Sequence, residues 1–175
     1  MPTKVSSPRP VLRRLSILLV VLTAASLGAA TPPCPLLHKP APAFVRTDLH
    51  GRRISLRAER GKVVLLNFWA TWCAPCQEEL PRFAAWQARY GPQGFQVIAV
   101  SMDDSKTPVR TLVHKLRLDL PVVMGDAQLG TRYGGVLGFP VTFLIDRQGI
   151  VVSRLEGATD LDALDQQIRS LLARH

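Results

Sequence analysis

Seven residues, Val63-Val64-Leu65-Leu66-Asn67-Phe68-Trp69, run almost without a polar interruption and are followed closely by Cys73-Ala74-Pro75-Cys76. An apolar run of this length reads as a strand covered on both faces, so the chain must build layers above and below it. That demand argues against an open sheet with one wet face. Two cysteines separated by two residues fit the first turn of a following helix, where they can form and break a disulfide locally. The position matters chemically as well. Cys73 would stand at the helix N-terminus, where free N–H groups and the helix dipole favour thiolate over thiol. Thiolate is the attacking species in disulfide exchange.

The rest of the chain supplies further strands and the layers to cover them. Asp48-Leu49-His50-Gly51 is a turn signal flanked by Phe44-Val45-Arg46 and Arg53-Ile54-Ser55-Leu56, which predicts a small hairpin. Ala74 to about Tyr90 reads as a helix with Leu80, Phe83, Ala84 and Tyr90 toward the core, and with a kink expected at Pro81. Phe95 to Ser101 is a second buried strand. Ser105 or Thr107 is a candidate cap for a helix through about Leu116, with Pro108 near its first turn. Leu120 to Met124 is short and strand-like, and Ala127 to Tyr133 a brief helix. Val141–Ile145 and 150–154 flank Asp146-Arg147-Gln148-Gly149 as an antiparallel hairpin. Leu161, Leu164, Ile168, Leu171 and Leu172 recur at helical spacing, and Thr159 with Asp162 resembles a capping box. Strands alternating with helices, closed by a hairpin and a helix, predict an α/β sandwich around a mixed sheet. No internal repeat, Gly-rich phosphate loop or dinucleotide fingerprint is present.

The N-terminus accounts for part of the charge. Of the net +9, residues 1–30 supply four cations, Lys4, Arg9, Arg13 and Arg14, and no acid. These precede an apolar stretch from Leu15 that ends in Gly28-Ala29-Ala30, the order of an export signal. A cleaved signal is the favoured reading of 1–30. Retention as a single anchoring helix is the alternative, because the stretch approaches the roughly 17 residues that a span requires. Either outcome places the domain outside the cytoplasm. The remaining cations are interspersed with Asp and Glu and only 6% of residues are aromatic, which argues against a nucleic-acid partner. Residues 31–40 form a Pro-rich leader, read as an extended tether. It carries the third cysteine, Cys34, read as a free thiol, since Thr31-Pro32-Pro33 does not suit lipid attachment. The folded domain is expected over 41–175.

Trp69-Ala70-Thr71-Trp72-Cys73-Ala74-Pro75-Cys76, the downstream Gly138-Phe139-Pro140-Val141-Thr142-Phe143-Leu144-Ile145-Asp146 and the leading Ala41-Pro42-Ala43-Phe44 resemble the thioredoxin superfamily. More narrowly they resemble its TlpA/ResA-type extracytoplasmic thiol–disulfide oxidoreductases, over roughly residues 41–173. The resemblance implies a thioredoxin-like fold with helices on both faces of the sheet and an N-terminal hairpin extension. It implies Cys73 as the nucleophile and Cys76 as the resolving thiol, with no cofactor beyond this redox-active pair and no metal. Pro140 matches the family's cis-proline. Trp72, Pro75, Phe139 and Pro140 match positions beside the dithiol where a protein disulfide would be bound, with plain core packing as the alternative for Phe139. Glu79 matches an acid of the pattern Cys-x-x-Glu-x-Pro and is a candidate proton acceptor for Cys76; an exposed helix acid is its bland alternative, and Glu78 fits that description. Asn67 departs from cytoplasmic thioredoxins, which carry a buried Asp there. An amide cannot take a proton, so Glu79 or water must.

The function implied is reduction of protein disulfides, as in cytochrome c maturation or copper-centre assembly, with apocytochrome c or a copper-site protein as partner and a membrane thiol carrier as electron donor. Ala74-Pro75 lacks the histidine found between the cysteines of dedicated oxidases. Two alternatives remain on the same fold. A peroxiredoxin-like peroxidase places Thr or Ser three residues before its cysteine, whereas here position 70 is Ala and Thr71 lies two before. A copper-binding assembly factor uses Cys-x-x-x-Cys and a downstream His, for which His114 is the candidate. A zinc site would want four ligands, and neither a second Cys-x-x-Cys nor a paired-His motif exists. His38, His50, His114 and His175 form no cluster in sequence.

Overall fold

The computed structural model describes Met1, Thr3 and residues 35–174. Nearly all of the expected export segment, and Cys34, therefore lie outside the described residues. In chain order the elements are β1 (Val45–Thr47), β2 (Arg53–Ser55), β3 (Val63–Trp69), α1 (Ala74–Tyr90), β4 (Phe95–Ser101), α2 (Lys106–Lys115), β5 (Val122–Met124), α3 (Ala127–Arg132), β6 (Val141–Ile145), β7 (Val151–Glu156) and α4 (Leu161–Leu172). Strands β3 to β7 form one sheet in the order β5-β4-β3-β6-β7. β3, β4 and β5 run parallel, β6 is antiparallel to β3, and β7 is antiparallel to β6. The result is the mixed α/β architecture that the alternating pattern predicts.

Every residue of β3 is buried, and the period of two sorts them between two cores. Val63, Leu65 and Trp69 pack with Leu80, Phe83, Trp86 and Tyr90 of α1 and with Leu164 and Ile168 of α4. Val64, Leu66 and Phe68 pack on the opposite face with Phe44, Leu129 and Tyr133. That second core is rich in aromatics. Tyr133 stands 5.2 Å from Phe68 and 5.1 Å from Phe143, ring centre to ring centre. Its hydroxyl donates to the Pro42 carbonyl at 2.8 Å. Burial pushes this phenol upward, so it stays neutral and keeps its proton for that bond.

The structure adds to one local expectation and changes two others. Helix α1 continues through Pro81, whose exposed position puts the ring on the solvent side; Trp86, absent from the expected core, is buried one turn before Tyr90. The N-cap of α4 is Asp160, which accepts from the N–H groups of Asp162 and Ala163 at 3.1 and 3.0 Å. Thr159 is not the cap. A carboxylate immediately before the first helical residue satisfies free donors and the dipole together. The end of the leader is not loose either. His38 N–H donates to Val151 O, Val151 N–H to Lys39 O and Ala41 N–H to Gly149 O, at 2.8 to 3.0 Å. Residues 38–41 thus line the edge of the β6–β7 hairpin, with Pro40 at an edge position that asks for no N–H.

The β1–β2 hairpin docks on the sheet through its turn. Asp48 bridges to Val123, and Leu49 N–H donates to Val122 O at 3.0 Å. The Asp48 carboxylate is buried and accepts from His50 N–H, Arg52 N–H and Arg52 Nε at 2.9, 2.8 and 2.7 Å. Burial alone would push this carboxyl up; the bonds from Arg52 and His50 outweigh it and hold it below the ordinary value. Its contribution is therefore complete above the unfolded carboxylate range and is lost as pH falls through the lowered folded value. An Asp48→Asn variant turns an amide donor toward groups that themselves donate. It is expected to be less stable by about 1–3 kcal/mol at pH 7, with the difference from the parent shrinking as pH falls below the ordinary carboxylate range, as read by urea unfolding across pH.

Candidate active site

The chain leaves β3 at Trp69 and enters α1 at Ala74, and the turn between is held at Thr71 by side chains of neighbouring elements and at Cys73 by a backbone bond. Thr71 donates its N–H and its hydroxyl to the Asp103 carboxylate at 3.0 and 2.5 Å. Ser101, opposite Trp69 in the parallel register, donates its hydroxyl to the same carboxylate at 2.8 Å. Gln77 Nε2 donates to the Thr71 carbonyl at 2.7 Å. Cys73 N–H donates to Ala70 O at 3.1 Å.

Cys73 is the N-cap of α1, and its Sγ accepts from the Cys76 N–H at 3.3 Å. Pro75 lies in the first turn, where its missing N–H costs nothing and its fixed φ favours the helix. The two sulfurs are joined as a disulfide. Cys73 is 5% exposed and Cys76 1%, so the first cysteine is the one that solvent can reach. In the dithiol form the same N–H and the N-terminal dipole would face the Cys73 sulfur and stabilise its thiolate.

A second loop closes over this turn. The Phe139–Pro140 peptide bond is cis. The Trp72 ring stands edge-on to Phe139, with ring centres 5.4 Å apart. Trp72 is 71% exposed and Leu137, two residues before Phe139, is 99% exposed. Trp72 thus gives the turn that carries the dithiol an apolar, solvent-facing side chain, and Leu137 gives the proline loop another. Pro140 O accepts from Gly157 N–H at 2.9 Å, which ties the proline loop to the segment entering α4.

Glu79 lies one turn beyond Cys76, on the same side of α1. It is buried, not an exposed helix acid. Oε1 accepts from Thr159 N–H at 2.7 Å, whereas Oε2 is buried with no hydrogen-bond partner. Burial pushes the carboxyl above its ordinary value; the Thr159 N–H opposes the shift and the Glu78 charge adds to it. Asn67 points to the α1 face of the sheet and donates Nδ2 to Thr142 Oγ1 at 2.9 Å, leaving its buried Oδ1 unpartnered. The helix thus contributes a buried carboxyl at Glu79, one turn beyond Cys76, and the sheet a buried amide at Asn67.

The AhpC/TSA family model matches residues 37–154, which is more than half of the chain. The chain belongs to the AhpC/TSA family. It is 35% identical over 135 residues to thiol-disulfide oxidoreductase ResA of Bacillus thuringiensis subsp. konkukian, covering 77% of this chain and 78% of that one. It is 40% identical to ResA of Bacillus subtilis over 118 residues, 67% of this chain and 65% of the relative. A thioredoxin family thiol:disulfide interchange protein from Chlorobium tepidum superposes with a TM-score of 0.71 at 27% identity, covering 83% of this chain and all of that one. The domain is thus a thioredoxin-fold thiol–disulfide oxidoreductase.

Within this oxidoreductase the structure brings Cys73, Cys76, Glu79, Trp72, Pro75, Phe139 and Pro140 into one region, where the first turn of α1 meets the proline loop. Asp103, Thr142, Thr159 and Leu137 also serve the region, and the sequence alone does not single them out. Asp103 carries a weak signal, as an acid two residues beyond a strand parallel to β3. Thr159 carries none, because its part is played by a backbone N–H. His114 sits in the last turn of α2, about 12 Å along the helix axis from its first residue. Among the described residues, no three His, Cys, Asp or Glu side chains gather as a metal site.

The raised Glu79 carboxyl makes a stability prediction. A group whose folded value is raised stabilises below its unfolded value, and that contribution is lost as pH rises through the folded value. Glu79→Gln keeps an oxygen for Thr159 N–H and carries no charge. It is expected to match the parent near pH 4 and to exceed it in stability at pH 8, as read by thermal melts at both pH values.

Proposed function

We propose that this protein is an exported reductase of protein disulfides, acting outside the cytoplasm. One arrangement supports this most: Cys73, the solvent-reachable sulfur, opens α1, and Glu79, a buried carboxyl with one unpartnered oxygen, lies one turn beyond Cys76 on the same helix. The Cys73 thiolate attacks one sulfur of a substrate disulfide, and the substrate's other sulfur leaves as thiolate. Cys76 then gives its proton to Glu79 and attacks Cys73 Sγ. The substrate leaves with both sulfurs reduced, two electrons have passed to it, and the Cys73–Cys76 disulfide remains. A membrane thiol carrier resets the pair. Trp72, Pro75, Phe139 and Pro140 form the face that receives the substrate chain. Cysteines of apocytochrome c or of a copper-site protein are the proposed targets, and the basic-then-apolar order of residues 1–30 supports export.

The peroxidase alternative has less to support it. Thr71, the nearest hydroxyl in sequence, is engaged by Asp103 instead of facing Cys73 as a donor. The test is the reduction potential of the Cys73/Cys76 couple, measured against glutathione or dithiothreitol buffers. A value near −270 mV, that of thioredoxin, is expected; one near −120 mV, that of a strong oxidant, would reverse the direction proposed.

A further inference from the structure

A groove of about 590 Å³ opens at the β5 edge of the sheet, between the β1–β2 turn and α2. It shares no residue with the redox site. His50, Arg110, His114 and Arg117 line it, all exposed, and no carboxylate does. Its floor is Leu49, Val113 and Leu118. We propose that this groove docks an acidic segment of a partner polypeptide, whose carboxylates engage Arg110 and Arg117 while an apolar side chain seats on Leu49, Val113 and Leu118.

The charge is not neutralised from within. Residues 106–118 contain Lys106, Arg110, His114, Lys115 and Arg117 and no acid. Asp104 and Asp119 flank this stretch but lie outside the groove lining. Asp48, on the facing turn, has its carboxylate committed to Arg52 and to the His50 N–H. The helix dipole accounts for His114 and Lys115 in the last turn of α2. It does not account for Arg110 in mid-helix, for His50 on another element, or for Arg117. Arg117 has φ of +51°, and its N–H donates to His114 O while Leu118 N–H reaches back to Val113 O. That is the position just past a helix where glycine is favoured and a side chain carries a conformational cost. A guanidinium is held there at the groove rim regardless.

The walls are preformed. The three bonds to Asp48 fix the turn, and buried Val109 and Leu112 anchor α2, so little ordering is needed on binding. Charge also selects the occupant. A second copy of this chain carries +9, and residues 1–30 bring four cations and no acid, so both are repelled. A bilayer is a poor fit, because Leu49 and Leu118 are a recessed floor, 7% and 6% exposed, and membrane insertion needs protruding apolar groups. An extended segment can enter, and arginine forks match carboxylates with two parallel bonds.

The test uses the full chain and a fluorescein-labelled peptide of alternating Glu and Leu, followed by anisotropy. Arg110→Glu/Arg117→Glu is expected to weaken binding at least about tenfold. Lys39→Glu/Arg57→Glu, with the same net charge but outside the groove, is expected to change it less than about twofold. Arg110→Gln/Arg117→Gln should give an intermediate loss, and all three should keep the parent's melting temperature and its activity on a small aromatic disulfide. Equal weakening by the two charge-reversal pairs, no peptide binding at low salt, or groove-dependent binding confined to phosphatidylglycerol vesicles would each overturn the proposal.

Discussion

A Cys73→Ser variant is expected to lose disulfide-exchange turnover by roughly a thousandfold or more while keeping its fold. Cys73 is the reachable sulfur of the pair, it caps α1, and the Cys76 N–H already points at it. A serine hydroxyl preserves the cap, since oxygen accepts from the same N–H, but it does not ionise at working pH and cannot form the mixed disulfide. Cys76→Ser should behave differently. The first attack still proceeds, but the second does not, so the protein should accumulate covalently bound to its substrate. Non-reducing electrophoresis followed by mass analysis reads both outcomes. Turnover retained by Cys73→Ser, or a trapped adduct on Cys76 instead of Cys73, would exchange the roles assigned to the two thiols. Glu79→Gln belongs to the same series: removing the acceptor should slow substrate release from the mixed disulfide by about a hundredfold without blocking its formation.

The parts of this site that can be read from sequence are those carried by side-chain type at fixed spacing. Cys73 and Cys76 are legible because two thiols one helical turn apart have few other uses beside a buried strand. Strand β3 is legible because burial on both faces forces a near-continuous apolar run. Glu79 is ambiguous in sequence for a physical reason. Its neighbour Glu78 is exposed and chemically identical; Glu79 falls on the buried stripe of α1, and the N–H that engages it comes from the loop before α4, 80 residues away in sequence. Thr159 looks like a cap by residue type, yet its useful group is a backbone N–H, which any residue but proline supplies. The leader misleads for a related reason. Proline content argues for an extended, free tether, whereas residues 35–38 turn, His38 at φ +60°, and residues 38–41 hydrogen-bond along a sheet edge. Leu137 looks like one apolar residue in a glycine-rich loop, and its exposure beside Phe139 follows from the fold alone.

Phe68→Ala should cost about 3–5 kcal/mol of stability, more than the loss expected of Asp48→Asn. Against the 5–15 kcal/mol typical of a whole domain, that is a fall in melting temperature of roughly 10–15 °C for a domain of this size. Phe68 is fully buried on the central strand, with Tyr133 and Phe143 at 5.2 and 6.0 Å. The space it leaves cannot easily collapse. Tyr133 is pinned through its hydroxyl to Pro42, and Phe143 sits on β6, itself hydrogen-bonded on both sides. The damage should also stay on one side of the sheet. Alternation along β3 sends Phe68 to the aromatic core, while Asn67 and Trp69 face α1 and the dithiol. The Cys73/Cys76 potential of the Phe68→Ala variant, measured below its lowered melting point, should therefore stay close to the parent's. A shift of 30 mV or more, about 1.4 kcal/mol for a two-electron couple, would mean that the two faces of the sheet are energetically coupled through β3.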